Sequence, residues 1–94
     1  MAHTLKLEQD DDILGCLIWV DQRPVMNLNR DFEALLNLPK GDHRLAVDAR
    51  GSGGTVKITV DGGAVLKDEP GGWPLTIVIP KSQSGKTKHT RFTT

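Results

Sequence analysis

Apolar and polar residues alternate along residues 3–8, with Leu5 and Leu7 on one side and Thr4, Lys6 and Glu8 on the other. A period of two marks a strand with one buried face. The same alternation runs through 44–50, where Leu45, Val47 and Ala49 read as inward and Arg44, Ala46, Asp48 and Arg50 as outward. It recurs in 55–60, with Val56, Ile58 and Val60 inward. Residues 13–20 and 75–79 differ, being apolar on both faces. Turn chemistry separates these runs: Asp10-Asp11-Asp12, Gln22-Arg23-Pro24, Gly51-Ser52-Gly53-Gly54, Asp61-Gly62-Gly63 and a longer loop over 68–74.

A strand–turn–strand pattern occurs twice. Ile18, Val20, Asp21 and Val25 align at equal spacing with Ile58, Val60, Asp61 and Val65. Each copy reads as a strand, a turn opened by Asp and an apolar return, which leads us to expect consecutive hairpins. Residues 29–38 fit two periods. Phe32, Leu35 and Leu36, with Asn29 as N-cap, suit a short helix near 30–37. Phe32, Ala34, Leu36 and Leu38 suit a strand equally well. The strand is preferred, because Pro39-Lys40-Gly41-Asp42 then turns directly into the strand that follows. Residues 82–94 are polar and basic, and read as a flexible tail. The sum is an all-β, single-domain β-sandwich over 1–81, of about seven to eight short antiparallel strands. Leu38 to Leu45 resembles hairpins of immunoglobulin-like and jelly-roll sandwiches, a likeness of fold that implies no activity.

Twelve basic residues balance twelve acidic ones, so charge points to neither nucleic acid nor a basic partner. The opening Met-Ala-His-Thr-Leu-Lys lacks the pattern of a signal peptide, and no apolar run is long enough for a bilayer-spanning helix. A cytoplasmic protein with no membrane partner is the expectation. Cys16 is the single cysteine and falls on an inward position, so a buried, unreactive thiol is expected. His3, His43 and His89 are dispersed, and no pair has the spacing of zinc ligands. Glu8 and Asp10-Asp11-Asp12 lack the ligand spacing of a calcium loop and read as a solvated turn. Near the C-terminus, Pro80-Lys81-Ser82-Gln83-Ser84-Gly85-Lys86-Thr87 imitates a phosphate-binding loop. Pro80, which has no amide to offer, stands where the first glycine is required. Gly51-Ser52-Gly53-Gly54 precedes a strand, where a dinucleotide fingerprint would open a helix. No nucleophile–base motif is present, so neither an enzyme nor a cofactor is expected.

Two binding readings remain. If Leu14, Cys16, Ile18 and Val20 point inward, then Ile13, Leu17 and Trp19 point outward, and Leu35 and Val78 share that outward parity. These five residues would form an apolar interface for another protein or a second copy in a homodimer, with Trp19 as anchor. The alternative is a glycan site on a Trp platform, drawing on Trp73, Trp19, Arg23, Arg50 and Asp48.

Overall fold

The computed structural model describes residues 2–28 and 31–94. Its strands are β1 (Ala2–Gln9), β2 (Ile13–Val20), β3 (Arg23–Leu28), β4 (Phe32–Asn37), β5 (Asp42–Gly51), β6 (Thr55–Val60), β7 (Val65–Leu66), β8 (Leu75–Val78) and β9 (Gly85–Thr93). All pairings among them are antiparallel. One sheet has the order β4-β1-β6-β8 and the other β3-β2-β5-β9-β7. The two pack face to face as a β-sandwich, the architecture that the alternating runs imply.

The core is the meeting of two inner faces. Leu5, Leu7, Val56, Ile58, Val60, Leu75 and Ile77 come from the four-stranded sheet. Cys16, Ile18, Val20, Leu45, Val47, Ala49, Leu66 and Phe92 come from the five-stranded one. Fully burying such side chains contributes about 1.5–3 kcal/mol each before the cost of ordering the chain.

The segment read two ways is a strand: β4 pairs along its length with β1, from Ala2↔Asn37 to Leu7↔Phe32. Pairing with a neighbour that already needs an edge partner overrides the local helical spacing. The helix reading over 30–37 is therefore corrected, and its cap, Asn29, lies outside the described residues.

The expectation of consecutive hairpins is also corrected. Among the described strands only β2 and β3 are sequence neighbours paired in one sheet. The second copy of the pattern does not close on itself. β6 lies in the four-stranded sheet, and Asp61-Gly62-Gly63 carries the chain across to β7 in the other. Gly62 has φ of 86°, and a Cβ there would meet His3 Nδ1 at 2.6 Å, so glycine is required where the crossing passes β1. The link from β4 to β5 likewise crosses between sheets and is no hairpin.

A bulge corrects the parity of β2. Ile13 pairs with Gly51 and Gly15 with Arg50, so Leu14 is an extra residue in the ladder. Ile13 is consequently buried at 4% exposure, whereas Leu14 stands in solvent at 76%. Ile13 packs so closely on Gly54 that a Cβ there would meet its Cδ1 at 2.5 Å.

The expected tail is the largest correction. Residues 85–93 form β9, inserted between β5 and β7, with pairs from Asp42↔Thr93 to Arg50↔Gly85. Phe92 is fully buried and Thr90 nearly so. Lys88 shares the inward side with Val47, and its charge is met by Glu69 at 2.6 Å. A chain ending at Ser84 is therefore expected to lose cooperative unfolding and its near-ultraviolet circular dichroism; a sharp melt would contradict the strand. The Thr90 hydroxyl is buried without a hydrogen-bond partner. Replacing it by a methyl removes an unmet polar group, so Thr90→Val is expected to stabilise the domain by about 1 kcal/mol in urea unfolding.

Candidate functional site

The outer face of the five-stranded sheet is built by the residues that alternate with its core. On β5 these are Arg44, Ala46, Asp48 and Arg50, on β2 Leu17 and Trp19, and on β9 Thr87, His89 and Arg91. Register places them in three rungs. Trp19, Ala46 and His89 share the middle one; Leu17, Asp48 and Thr87 lie on one side; Arg44 and Arg91 lie on the other. Ala46 is small and sits between two rings, which leaves a hollow in the sheet surface. A groove of about 780 Å³ forms there, bounded by Trp19, Gln22, Arg44, Asp48, His89 and Arg91.

The polar groups around it are partly paired. Asp68 accepts from Arg91 through both oxygens, Nε to Oδ2 at 2.9 Å and a terminal nitrogen to Oδ1 at 3.0 Å. The Arg91 guanidinium holds the Asp68 carboxyl below its ordinary range, and Asp68 in turn raises Arg91. Arg50 donates to Asp48 at 3.2 Å, and the Thr87 hydroxyl donates to the other oxygen of Asp48 at 3.4 Å. Such exposed pairs contribute little to stability. Among the described residues, Arg44 has no carboxylate within ion-pair distance.

The groove ends at the β2–β3 turn. Asp21 and Gln22 both have positive φ, 53° and 67°, so this is a two-residue primed turn. Asp tolerates that conformation; Gln is strained in it. The sister turn uses Gly62 and Gly63 instead. Asp21 is held by what its carboxylate does. One oxygen accepts the Arg44 amide at 2.9 Å and the other accepts His43 Nδ1 at 2.7 Å. His43 Nε2 donates to the Pro39 carbonyl at 2.7 Å. The Thr94 hydroxyl also donates to Pro39, at 2.8 Å, and accepts from the Gly41 amide at 3.2 Å.

Asp21, His43 and Thr94 thus line up like a catalytic triad, yet the chemistry differs. Nδ1 faces a carboxylate oxygen and Nε2 a carbonyl oxygen, both acceptors, so these contacts favour the protonated ring. His43 is only 4% exposed, and its ring nitrogens are taken up by Asp21 and Pro39. Burial works against the His43 charge, but its hydrogen bonds to Asp21 and to the Pro39 carbonyl and the nearby Asp21 and Asp42 carboxylates outweigh it and raise its pKa. Burial would raise the Asp21 pKa, but the Arg44 amide and His43 overcome it and lower the value.

The expected apolar interface is not one surface. Ile13 is in the core. Leu17 and Trp19 lie half-buried on the outer face of the five-stranded sheet. Leu35 and Val78 are exposed on the other sheet, at its two opposite edges, β4 and β8. Of the expected glycan residues, Trp19 and Asp48 meet at the groove; Arg50 stands one rung beyond Asp48 and donates to it, and Arg23 is exposed in β3 beyond the turn. Trp73 is no platform: its Nε1 donates to the Ala64 carbonyl at 2.9 Å, and its ring meets Phe92 edge-on at 5.9 Å. It closes one end of the core. Arg44, His89 and Arg91 were not among the expected site residues: His89 and Arg91 because β9 reads as a tail, and Arg44 because its partner across the sheet, Arg91, lies on that strand. The signal that points to them is the β-branched Thr87, Thr90 and Thr93 spaced through that segment.

No family model matches this chain, and no curated protein or solved structure does either. Among the described residues, no group of three His, Cys, Asp or Glu could hold a metal ion, and no helix is long and apolar enough to cross a membrane. Asp10 is occupied in structure, accepting the Thr55 amide at 3.0 Å. Cys16 is buried, and desolvation, with Asp48 adding to it, pushes its thiol up to about 11.

The His43–Asp21 pair makes stability depend on pH from two sides. A raised histidine pKa contributes stability that is complete below about 6.5 and is lost as pH rises through the folded value. A lowered aspartate pKa contributes stability that is complete above about 3.9 and is lost as pH falls through its folded value. Asp21→Asn keeps a residue suited to positive φ and is expected to cost about 1–3 kcal/mol near pH 5. The gap between wild-type and variant melting temperatures should shrink above neutrality; a gap constant from pH 5 to pH 9 would contradict the protonated ring.

Proposed function

We propose that this domain is a non-enzymatic carbohydrate-binding module whose site is the Trp19 groove. The observation that carries the reading is Trp19 half-exposed beside Ala46 in a hollow of a sheet surface. An aromatic ring on a firm floor offers a flat apolar surface to the C–H face of a sugar. Hydroxyl recognition needs donors and acceptors around that ring, and Asp48, Thr87 and His89 supply both kinds. Three of the paired strands carry the site, so its geometry is held by the ladder and not by a loop.

Gln22 supports the same reading. A non-glycine residue in a strained turn costs of order 1 kcal/mol, and such strain concentrates where a side chain is used. Gln22 borders the groove, whereas the sister turn away from it is glycine. A cytoplasmic setting fits the single, unpaired Cys16. Leu17, which shares the outer face with Trp19, favours a second reading in which this face associates with another copy.

Titration with neutral and charged oligosaccharides, followed by tryptophan fluorescence, separates these readings. Trp73 lies away from the groove, held by its hydrogen bond to Ala64 and its contact with Phe92, and serves as an internal reference. Trp19→Ala should abolish the fluorescence response and weaken binding at least about tenfold, with melting nearly unchanged. Gln22→Gly should raise the melting temperature while weakening binding. A concentration-dependent mass in light scattering that Trp19→Asp abolishes, with no response to any glycan, would place the self-association reading first.

A further inference from the structure

Resting on the carbohydrate reading, we propose that the ligand is an acidic oligosaccharide, whose uronate carboxylate is taken by Arg44 and Arg91 while a sugar ring lies on Trp19. The order of the rungs is the basis. The middle rung carries Trp19, Ala46 and His89; one flank carries Asp48 and Thr87; the opposite flank carries Arg44 and Arg91. Along a strand, flanks four residues apart are about 13 Å from each other. A chain of two or three sugars laid along β5 therefore meets hydroxyl-binding groups at one end, an aromatic ring in the middle and guanidinium groups at the other.

The basic flank is built in a way that calls for an anion. Arg44 and Arg91 are direct register partners with side chains on one face. Like charges placed opposite each other on neighbouring strands repel. Asp68 answers only one of them, gripping Arg91 with both oxygens. Asp42 lies one rung further on β5, yet no ion pair forms between it and Arg44 among the described residues. The Arg44 guanidinium, left without a carboxylate, is a match for a planar two-oxygen anion, and Arg91 beside it, its Nε edge already gripped by Asp68, adds positive charge and its remaining N–H groups. His89 on the middle rung faces the same groove and adds a donor.

Arg44 is also positioned independently of its charge. Its main-chain amide donates to Asp21, so the strand keeps its place when the side chain is changed. That makes Arg44→Gln a clean probe, and its folding is verified by an unchanged melting temperature.

The experiment measures binding of the full chain by calorimetry to four probes of equal length. Two are uronate trisaccharides, of galacturonate and of glucuronate; one is the uncharged galactose trisaccharide; one is a sulfated galactose trisaccharide. At least one uronate should bind about tenfold tighter than the neutral sugar, with the preference falling as salt rises. Arg44→Gln should bring that uronate down to the neutral level and leave the neutral affinity within about twofold. Neutral binding equal to or tighter than both uronates overturns the acidic-ligand proposal and leaves the carbohydrate reading standing. So does a uronate preference that Arg44→Gln leaves intact, as regards the assignment to Arg44. Sulfated binding without uronate binding overturns the carboxylate assignment. Binding of none of the four overturns both the proposal and the reading beneath it.

Discussion

The strict alternation of side chains along β5 is the constraint from which both halves of this molecule follow. Its inward residues His43, Leu45, Val47 and Ala49 are buried, and its outward residues Arg44, Ala46 and Asp48 form the floor and rims of the groove. A pleated strand allows no other division, since neighbouring Cβ atoms point to opposite faces. β2 and β9 flank β5 and obey the same parity, so a buried Ile18 entails an outward Trp19, and a buried Phe92 entails an outward Arg91. Core and site are therefore one pattern read from two sides. A one-residue slip between β5 and either neighbour would destroy both together.

The His43 knot fixes that register at one end. It joins the β2–β3 turn through Asp21, the β4–β5 link through Pro39, and the segment after β9 through Thr94. The ring also lies against Phe92, with centroids 5.3 Å apart. Burying a polar ring is costly unless its nitrogens find partners, and here both do. The outcome is a polar knot that gathers four parts of the chain while leaving the groove polar groups free for other work.

How far these features were legible in the sequence depends on how local each one is. Strands β1, β5 and β6 are plain in the alternation of Leu5 and Leu7, of Leu45, Val47 and Ala49, and of Val56, Ile58 and Val60. The bulge at Leu14 is not, because a run apolar on both faces carries no parity until its partner strand supplies one. The pairing partners were also hidden. Asp61-Gly62-Gly63 has good hairpin chemistry, but turn residues specify only that the chain reverses, not which sheet it joins. β9 was masked by its charges: Lys88 stands where an aliphatic residue would reveal the strand, and its partner Glu69 is nineteen residues away in a loop. Part of the groove was lost with that strand, so Trp19 and Asp48 could be named, His89 and Arg91 could not, and the outward Arg44 had no visible partner.

The crossing of almost every connection from one sheet to the other has a consequence for how the chain is made. A hairpin can close as soon as its second strand emerges from the ribosome, and here β2–β3 alone has that option among the described strands. β7 has β9 as its sole ladder partner, and β5 keeps one edge bare until β9 arrives. Nascent chains therefore hold an unprotected, valine- and leucine-bearing edge from the emergence of β5 until β9 follows, the kind of surface that recruits holding chaperones and that cross-pairs between neighbouring polysomes.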